Sequence, residues 1–193
     1  MHKVIQRYLL LVLNTTVNAF FPFLIIPLIT SNTSDNDFGY YAYVLTLYST
    51  FFMLSQIGIN TVGMKRLKTD FNQTEVHNSL LAINFVATLF LTCVFIFLIS
   101  FYDFIILSNN YIKVMFIVSL IISAFNVEWV LYHKNNFKAL LKRNILIKAI
   151  FIVSVYIYFL LDNDIDEVIL LFFGFNIIGY LIVFGYSNVN ICL

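Results

Sequence analysis

Six long apolar runs, each closed by a short polar or charged gap, set the rhythm of this chain: residues 8–29, 38–60, 79–101, 111–131, 144–161 and 168–186. Each run is close to the ~20 residues that a helix needs to cross a hydrocarbon core. The runs are continuously apolar, whereas barrel strands alternate and last about ten residues, so the pattern predicts helices. Between them lie Thr30 to Asp37, Thr61 to Asn78, a turn around Tyr102-Asp103 and Ser108 to Asn110, a Lys-rich stretch from Tyr132 to Arg143, and Asp162 to Glu167. About six spans use up the length, and the expectation is a single transmembrane helical lobe over 1–193.

Composition sharpens this into an all-α integral membrane protein. Hydrophobic residues make up 61% of the chain and charged ones 11%, against about 25% charged in a soluble domain. So little charge cannot cover a water-facing surface, and the bilayer must be the solvent. The N-terminal run superficially resembles a signal peptide. It is too long for one and no small-residue cleavage site follows, so it reads as a retained first span. Cys93 and Cys192 suggest no disulfide framework.

Charge placement then sets orientation. Lys3, Arg7, Lys65, Arg66, Lys68, Lys134, Lys138, Lys142 and Arg143 fall at the N-terminus and in the second and fourth gaps. The first, third and fifth gaps hold Asp35, Asp37, Asp103, Asp162, Asp164, Asp166 and Glu167, with no Lys or Arg. The positive-inside rule therefore predicts both termini on the cytoplasmic side (N-in/C-in).

Polar residues recur at helical spacing inside the runs: Asn14, Thr15 and Asn18; Ser49, Gln56 and Asn60; Asn84, Thr88 and Thr92; Ser119, Ser123 and Asn126. Two readings fit, a shared polar lumen or hydrogen bonds from helix to helix. Pro22 and Pro27 should free the carbonyls of Asn18 and Phe23 and bend the outer half of the first helix. That bend is either a gating element or an ordinary transmembrane proline. Glu128 sits within a span and needs a partner, with Arg143 and Lys148 the nearest candidates. It is either a gating or titrating carboxylate, or half of an interfacial salt bridge beside a headgroup-level Trp129.

Lys134, Lys138 and Lys142, four apart with Phe137, Leu140 and Leu141 opposite, form a basic amphipathic segment suited to anionic headgroups or a lipid pyrophosphate. The same spacing also fits ordinary positive-inside charge. Lys113 should snorkel to the outer headgroups. His2, His77 and His133 show no metal-ligand spacing, no catalytic or nucleotide motif is present, and no surface suggests nucleic acid. No cofactor is expected.

In order and position, several segments resemble the N-terminal half of bacterial polysaccharide (O-antigen and capsule) flippases of the multidrug/oligosaccharidyl-lipid/polysaccharide exporter superfamily. They are Asn14-Thr-Thr-Val-Asn18 with Phe21-Pro-Phe-Leu-Ile-Ile-Pro27, and Asp37-Phe-Gly-Tyr-Tyr-Ala42. Gly58-Ile-Asn-Thr-Val-Gly-Met-Lys-Arg66, Phe125-Asn-Val-Glu-Trp129 and Phe137 through Lys148 complete the set.

The resemblance implies one lobe of a two-lobe transporter in the bacterial cytoplasmic membrane. Such a protein moves undecaprenyl-pyrophosphate-linked oligosaccharide between leaflets without making or breaking a bond. It implies cavity positions for Asn14, Asn18, Arg66 and Glu128. Lys65, Lys134, Lys138, Lys142, Arg143 and Lys148 would serve the pyrophosphate or anionic lipid, and Pro22 and Pro27 the gate. The family is about twice this length, so the second lobe is missing. A fragment, a self-pairing half and a half with a separately encoded partner are the options, and the abrupt Asn188-to-Leu193 end favours a fragment. The rival classes are a non-catalytic membrane subunit or inactive remnant, and a multi-span enzyme of lipid or glycan assembly.

Overall fold

The structure is a computed structural model that describes residues 2–69, 73–101, 107, 109–134, 136–162 and 164–191. The described chain is all helix and loop: α1 His2–Thr30, α2 Asp35–Ser55, α3 Ile59–Thr69, α4 Gln73–Phe101, α5 Asn110–Ile122, a 3₁₀ turn Ser123–Phe125, α6 Glu128–His133, α7 Phe137–Phe159 and α8 Ile165–Ile191. Asp103, Ser108 and Cys192, and the side chains of Lys3, Asn60 and Lys68, lie outside the described residues.

Four helical segments are long and apolar enough to cross a membrane: Ile5–Thr30, Glu75–Ser100, Asn110–His133 and Ile165–Gly185. They coincide with the first, third, fourth and sixth apolar runs. The second and fifth runs are also helical, but α2 is diluted by Tyr40, Tyr41, Tyr43 and Tyr48, and α7 carries Lys138, Lys142, Arg143 and Lys148 in its first half. The Asn110–His133 segment is the most enclosed, 56% buried, and Ile5–Thr30 the least, 11%. Tyr8, Phe23 and Leu24 on α1 are well exposed, as suits side chains with lipid for a neighbour.

Local chemistry sets the helix boundaries. The Asp37 amide donates to Ser34 Oγ at 3.3 Å to cap α2, with Asp35 and Asp37 in the first turn complementing the positive end of the helix dipole. The side chain of Asn109 accepts from the Tyr111 amide to cap α5, and Asn136 from that of Ala139 to cap α7. Helix α2 was expected to run to Asn60, yet it stops at Ser55. Gly58 has φ +78°, a left-handed conformation that glycine adopts without steric cost, and the chain turns there into the separate helix α3. The fourth run is interrupted as well: after the 3₁₀ turn, Asn126 is extended (ψ 96°) before α6 begins.

Packing forms two apolar cores. One gathers Val44, Tyr48 and Phe51 of α2, Phe95 of α4, Phe116 and Leu120 of α5, Val155 of α7 and Phe173 of α8. Its centre is aromatic: Phe95 stacks on Phe116 at 4.0 Å, and Tyr48 meets Phe116 edge-on at 5.4 Å. The other core joins Ile59, Val76, Leu80, Val127, Trp129, Leu140 and Val183. At the first core's end, Asn109 Nδ2 donates to Asp166 Oδ2 at 3.2 Å, so the third and fifth gaps meet. At the other end, α3 from the second gap packs on α6.

A polar layer lies between the cores. Asn84 Nδ2 donates to the Ala124 carbonyl at 2.8 Å, while Gln56 Nε2 donates to Asn84 Oδ1 at 3.1 Å and lies 3.4 Å from the Ser123 carbonyl. The Asn84 amide thus satisfies the Ala124 carbonyl at the helix interruption, and the Gln56 amide adds a second contact to the Ser123 carbonyl, which also accepts from the Asn126 amide at 3.0 Å. Asn84→Leu is expected to strip both contacts and lower stability by about 1–2 kcal/mol, read as a lower melting temperature in nanodiscs. An unchanged melting temperature would show that the interruption does not depend on this pair.

Candidate functional site

The cavity next to this polar layer has a volume of about 320 Å³, and α7 contributes more of its polar wall than any other helix. Arg143, Asn144 and Lys148 lie on the inward face of α7, the last two one helical turn apart. Glu128 comes from the start of α6, Gln56 from the end of α2, Asn126 from the interruption, and Asn176 and Tyr180 from α8. Phe21, Phe52, Phe151, Phe172 and Phe175 supply apolar wall.

The charged groups are tied into one network. Arg143 Nη2 pairs with Glu128 Oε1 at 2.5 Å, with side-chain exposures of 10% and 26%. The Arg143 guanidinium also donates to Asn144 Oδ1, from Nε at 2.9 Å and from Nη2. Asn144 Nδ2 in turn donates to Asn14 Oδ1 at 2.8 Å. One turn further, the Lys148 ammonium donates to Asn18 Oδ1 at 2.6 Å, lies 3.5 Å from the Val17 carbonyl and sits 4.7 Å above the Phe21 ring. Asn14 and Asn18 on α1 thus match Asn144 and Lys148 on α7 step for step. Val17 directly precedes Asn18, whose carbonyl Pro22 frees. Helix α1 runs through both prolines, and both are exposed.

The expectations about individual residues divide. Of the two candidates to partner Glu128, the structure selects Arg143. Lys148 lines the cavity. Asn14 and Asn18 do not line it themselves but hold Asn144 and Lys148, which do. Arg66, expected in the cavity, lies with Lys65 on the exposed side of α3, because the Gly58 turn carries that helix away and puts Ile59 and Gly63 inward. Lys134, Lys138 and Lys142 are also exposed and outside the cavity.

Trp129 is enclosed by protein rather than presented to headgroups. It is 1% exposed, against Gly63 on one side and His77 at 5.3 Å. Much of the polar striping is internal bonding: Thr15, Ser49, Thr88, Thr92 and Ser123 donate to carbonyls of their own helices. Ser119 bonds Tyr48, which also meets Tyr180. Among the stripe residues whose side chains are described, Gln56 and Asn126 line the cavity.

Asn144, Asn176 and Tyr180 were not anticipated as cavity residues. The first had a signal, since Asn144 and Lys148 repeat the four-residue spacing of Asn14 and Asn18. Asn176 donates to its own helix at Phe172 and stands out from α8 only by polarity.

The chain matches no protein-family model, no curated protein and no solved structure. Its functional reading rests on the cavity and the sequence.

Two cations and one carboxylate leave the lining with one positive charge in excess. Among the described residues no carboxylate pairs with Lys148. An excess cation among amides, in an apolar surround, suits an anionic headgroup whose remaining polar atoms also need partners.

Proposed function

We propose that this chain is one lobe of a membrane carrier that moves lipid-linked oligosaccharide, of the undecaprenyl-pyrophosphate type, across a bacterial cytoplasmic membrane. The observation that carries the reading is the cavity: Arg143 and Lys148 outnumber Glu128 within a multi-span helical protein, amides stand beside them, and phenylalanines wall the rest. Pyrophosphate calls for cations, sugar calls for amides and hydroxyls, and both must be sheltered from hydrocarbon on the way across. The role is transport, and no bond changes.

In this account α2 and α7 join the four more apolar segments as spans, for six in all with both termini cytoplasmic. The meeting of the second gap with α6, and of Asn109 with Asp166, supports that alternation by grouping gaps expected on the same side. A second lobe, from another copy or a separate chain, would complete the passage. Pro22 would let α1 swing against α7, where Asn18 and Lys148 form the latch.

Expression in a strain lacking its oligosaccharide-lipid flippase provides the test. Rescue is expected from the chain alone or with a second lobe, and Lys148→Met should cut rescue at least tenfold while Lys138→Met leaves it intact. Equal rescue by Lys148→Met, or none by an inserted wild type in either setting, would refute the carrier. Reporter fusions at Asn32 and Lys134 should signal outside and inside respectively, and the reverse would refute the topology.

A further inference from the structure

Two residues of the cavity wall hold buried carbonyl oxygens that receive no hydrogen bond from the described residues. Gln56 Oε1 and Asn126 Oδ1 have no donor among the described residues, though their residues are only 9% and 5% exposed. The Gln56 amide cannot simply be turned over. Its nitrogen faces two acceptors, Asn84 Oδ1 and the Ser123 carbonyl, and Asn84 is fixed by its own donation to the Ala124 carbonyl. Reversal would set oxygen against oxygen. Buried acceptors without donors carry a full desolvation cost, and in a native fold each calls for an explanation.

The neighbouring donors are engaged elsewhere. Arg143 serves Glu128 and Asn144, Asn144 serves Asn14, Lys148 serves Asn18, and Asn176 serves Phe172. None of these side chains donates to either oxygen, so a ligand that brings donors would complete both. An acceptor-only anion would be repelled by the Gln56 oxygen, whose orientation Asn84 and Ser123 fix. A cation would be opposed by the excess charge of Arg143 and Lys148. What remains is a neutral group with several donors, such as the hydroxyls and acetamido N–H of a sugar, whose C–H faces also suit phenylalanine walls.

We propose that Gln56 and Asn126 form a sugar subsite, distinct from the cationic side of the cavity, whose two carbonyl oxygens accept hydrogen bonds from the first sugar of the cargo. This deepens the carrier reading and rests on it. It assigns Arg143 and Lys148 to the pyrophosphate and makes Gln56 the link between cargo and helix interruption, since the same side chain holds the Ser123 carbonyl.

The test is calorimetric titration of the full chain in nanodiscs with two probes: undecaprenyl pyrophosphate, and the same lipid bearing one N-acetylglucosamine. The sugar-bearing lipid is expected to bind about tenfold more tightly. Asn126→Leu and Gln56→Met should each erase that difference and keep affinity for the bare lipid within about twofold, which also shows that the variant is folded. If Gln56→Met loses both ligands through its contacts to Asn84 and Ser123, Asn126→Leu decides, because the Asn126 side chain makes no hydrogen bond among the described residues. Equal affinity of the wild type for both probes, or a tenfold preference surviving in Asn126→Leu, overturns the subsite and leaves the carrier standing. Binding of neither probe by the wild type overturns both.

Discussion

Arg143→Met is expected to be the most damaging single change in the molecule, because it removes the partner of Glu128 and one of the cavity's two cations together. Breaking a buried ion pair from one side costs about 3–5 kcal/mol, since the other charge remains without compensation. Glu128 keeps 26% exposure, so water screens part of this and the expected loss is closer to about 2 kcal/mol. The guanidinium also orients Asn144, which holds α1 through Asn14, so the effect should spread to the α1–α7 contact. The double variant Glu128→Gln/Arg143→Gln leaves no isolated charge and should melt above Arg143→Met in nanodiscs, while remaining defective in rescue for want of the cation. A double variant that melts no higher than the single would show that the pair is not what holds α6 to α7.

Gly63→Val should be nearly as severe, and for a purely steric reason. A Cβ at Gly63 would lie 2.9–3.2 Å from three atoms of the Trp129 ring. His77 packs against the same ring at 5.3 Å and limits how far it can yield. Overpacking of this kind costs about 1–3 kcal/mol. Gly63→Ala should cost less, since alanine's better helix propensity returns up to about 1 kcal/mol. The displaced element would be α6, which carries Glu128 next to Trp129, so a clash outside the cavity should reach its charge network. Trp129 is the only tryptophan, which makes its fluorescence a direct readout. Gly63→Val should shift the emission to the red as the ring loses its enclosure, and an unshifted spectrum at unchanged melting temperature would contradict the packing described.

The sequence made the helices legible because continuous apolarity at span length leaves few alternatives. It concealed the two interruptions for the same reason. Residues 38–60 and 111–131 are apolar enough to read as single runs, and nothing in hydropathy distinguishes Gly58 as a left-handed turn from a glycine inside a helix. The Glu128–Arg143 pair could be anticipated because a carboxylate within a span demands a cation, and few were available. Arg66 was misplaced because the chain turns at Gly58, and with that turn the helix carrying Arg66 becomes a separate surface element. The polar stripes were ambiguous in principle: a threonine that donates to the carbonyl four residues earlier has the same spacing as one that faces a lumen. Only three-dimensional partners separate Thr88 and Thr92, satisfied within α4, from Gln56 and Asn126, whose oxygens are not.

The most direct test of the carrier account is photo-crosslinking in cells that make lipid-linked oligosaccharide, with a photoreactive phenylalanine at Phe151 in the cavity wall or at Phe23 on the lipid-facing side of α1. The account predicts that Phe151 captures a prenyl pyrophosphate carrying sugar, identified by mass spectrometry, and that Phe23 captures bulk phospholipid. Bulk phospholipid at both positions, with no sugar-bearing pyrophosphate at Phe151, would contradict it.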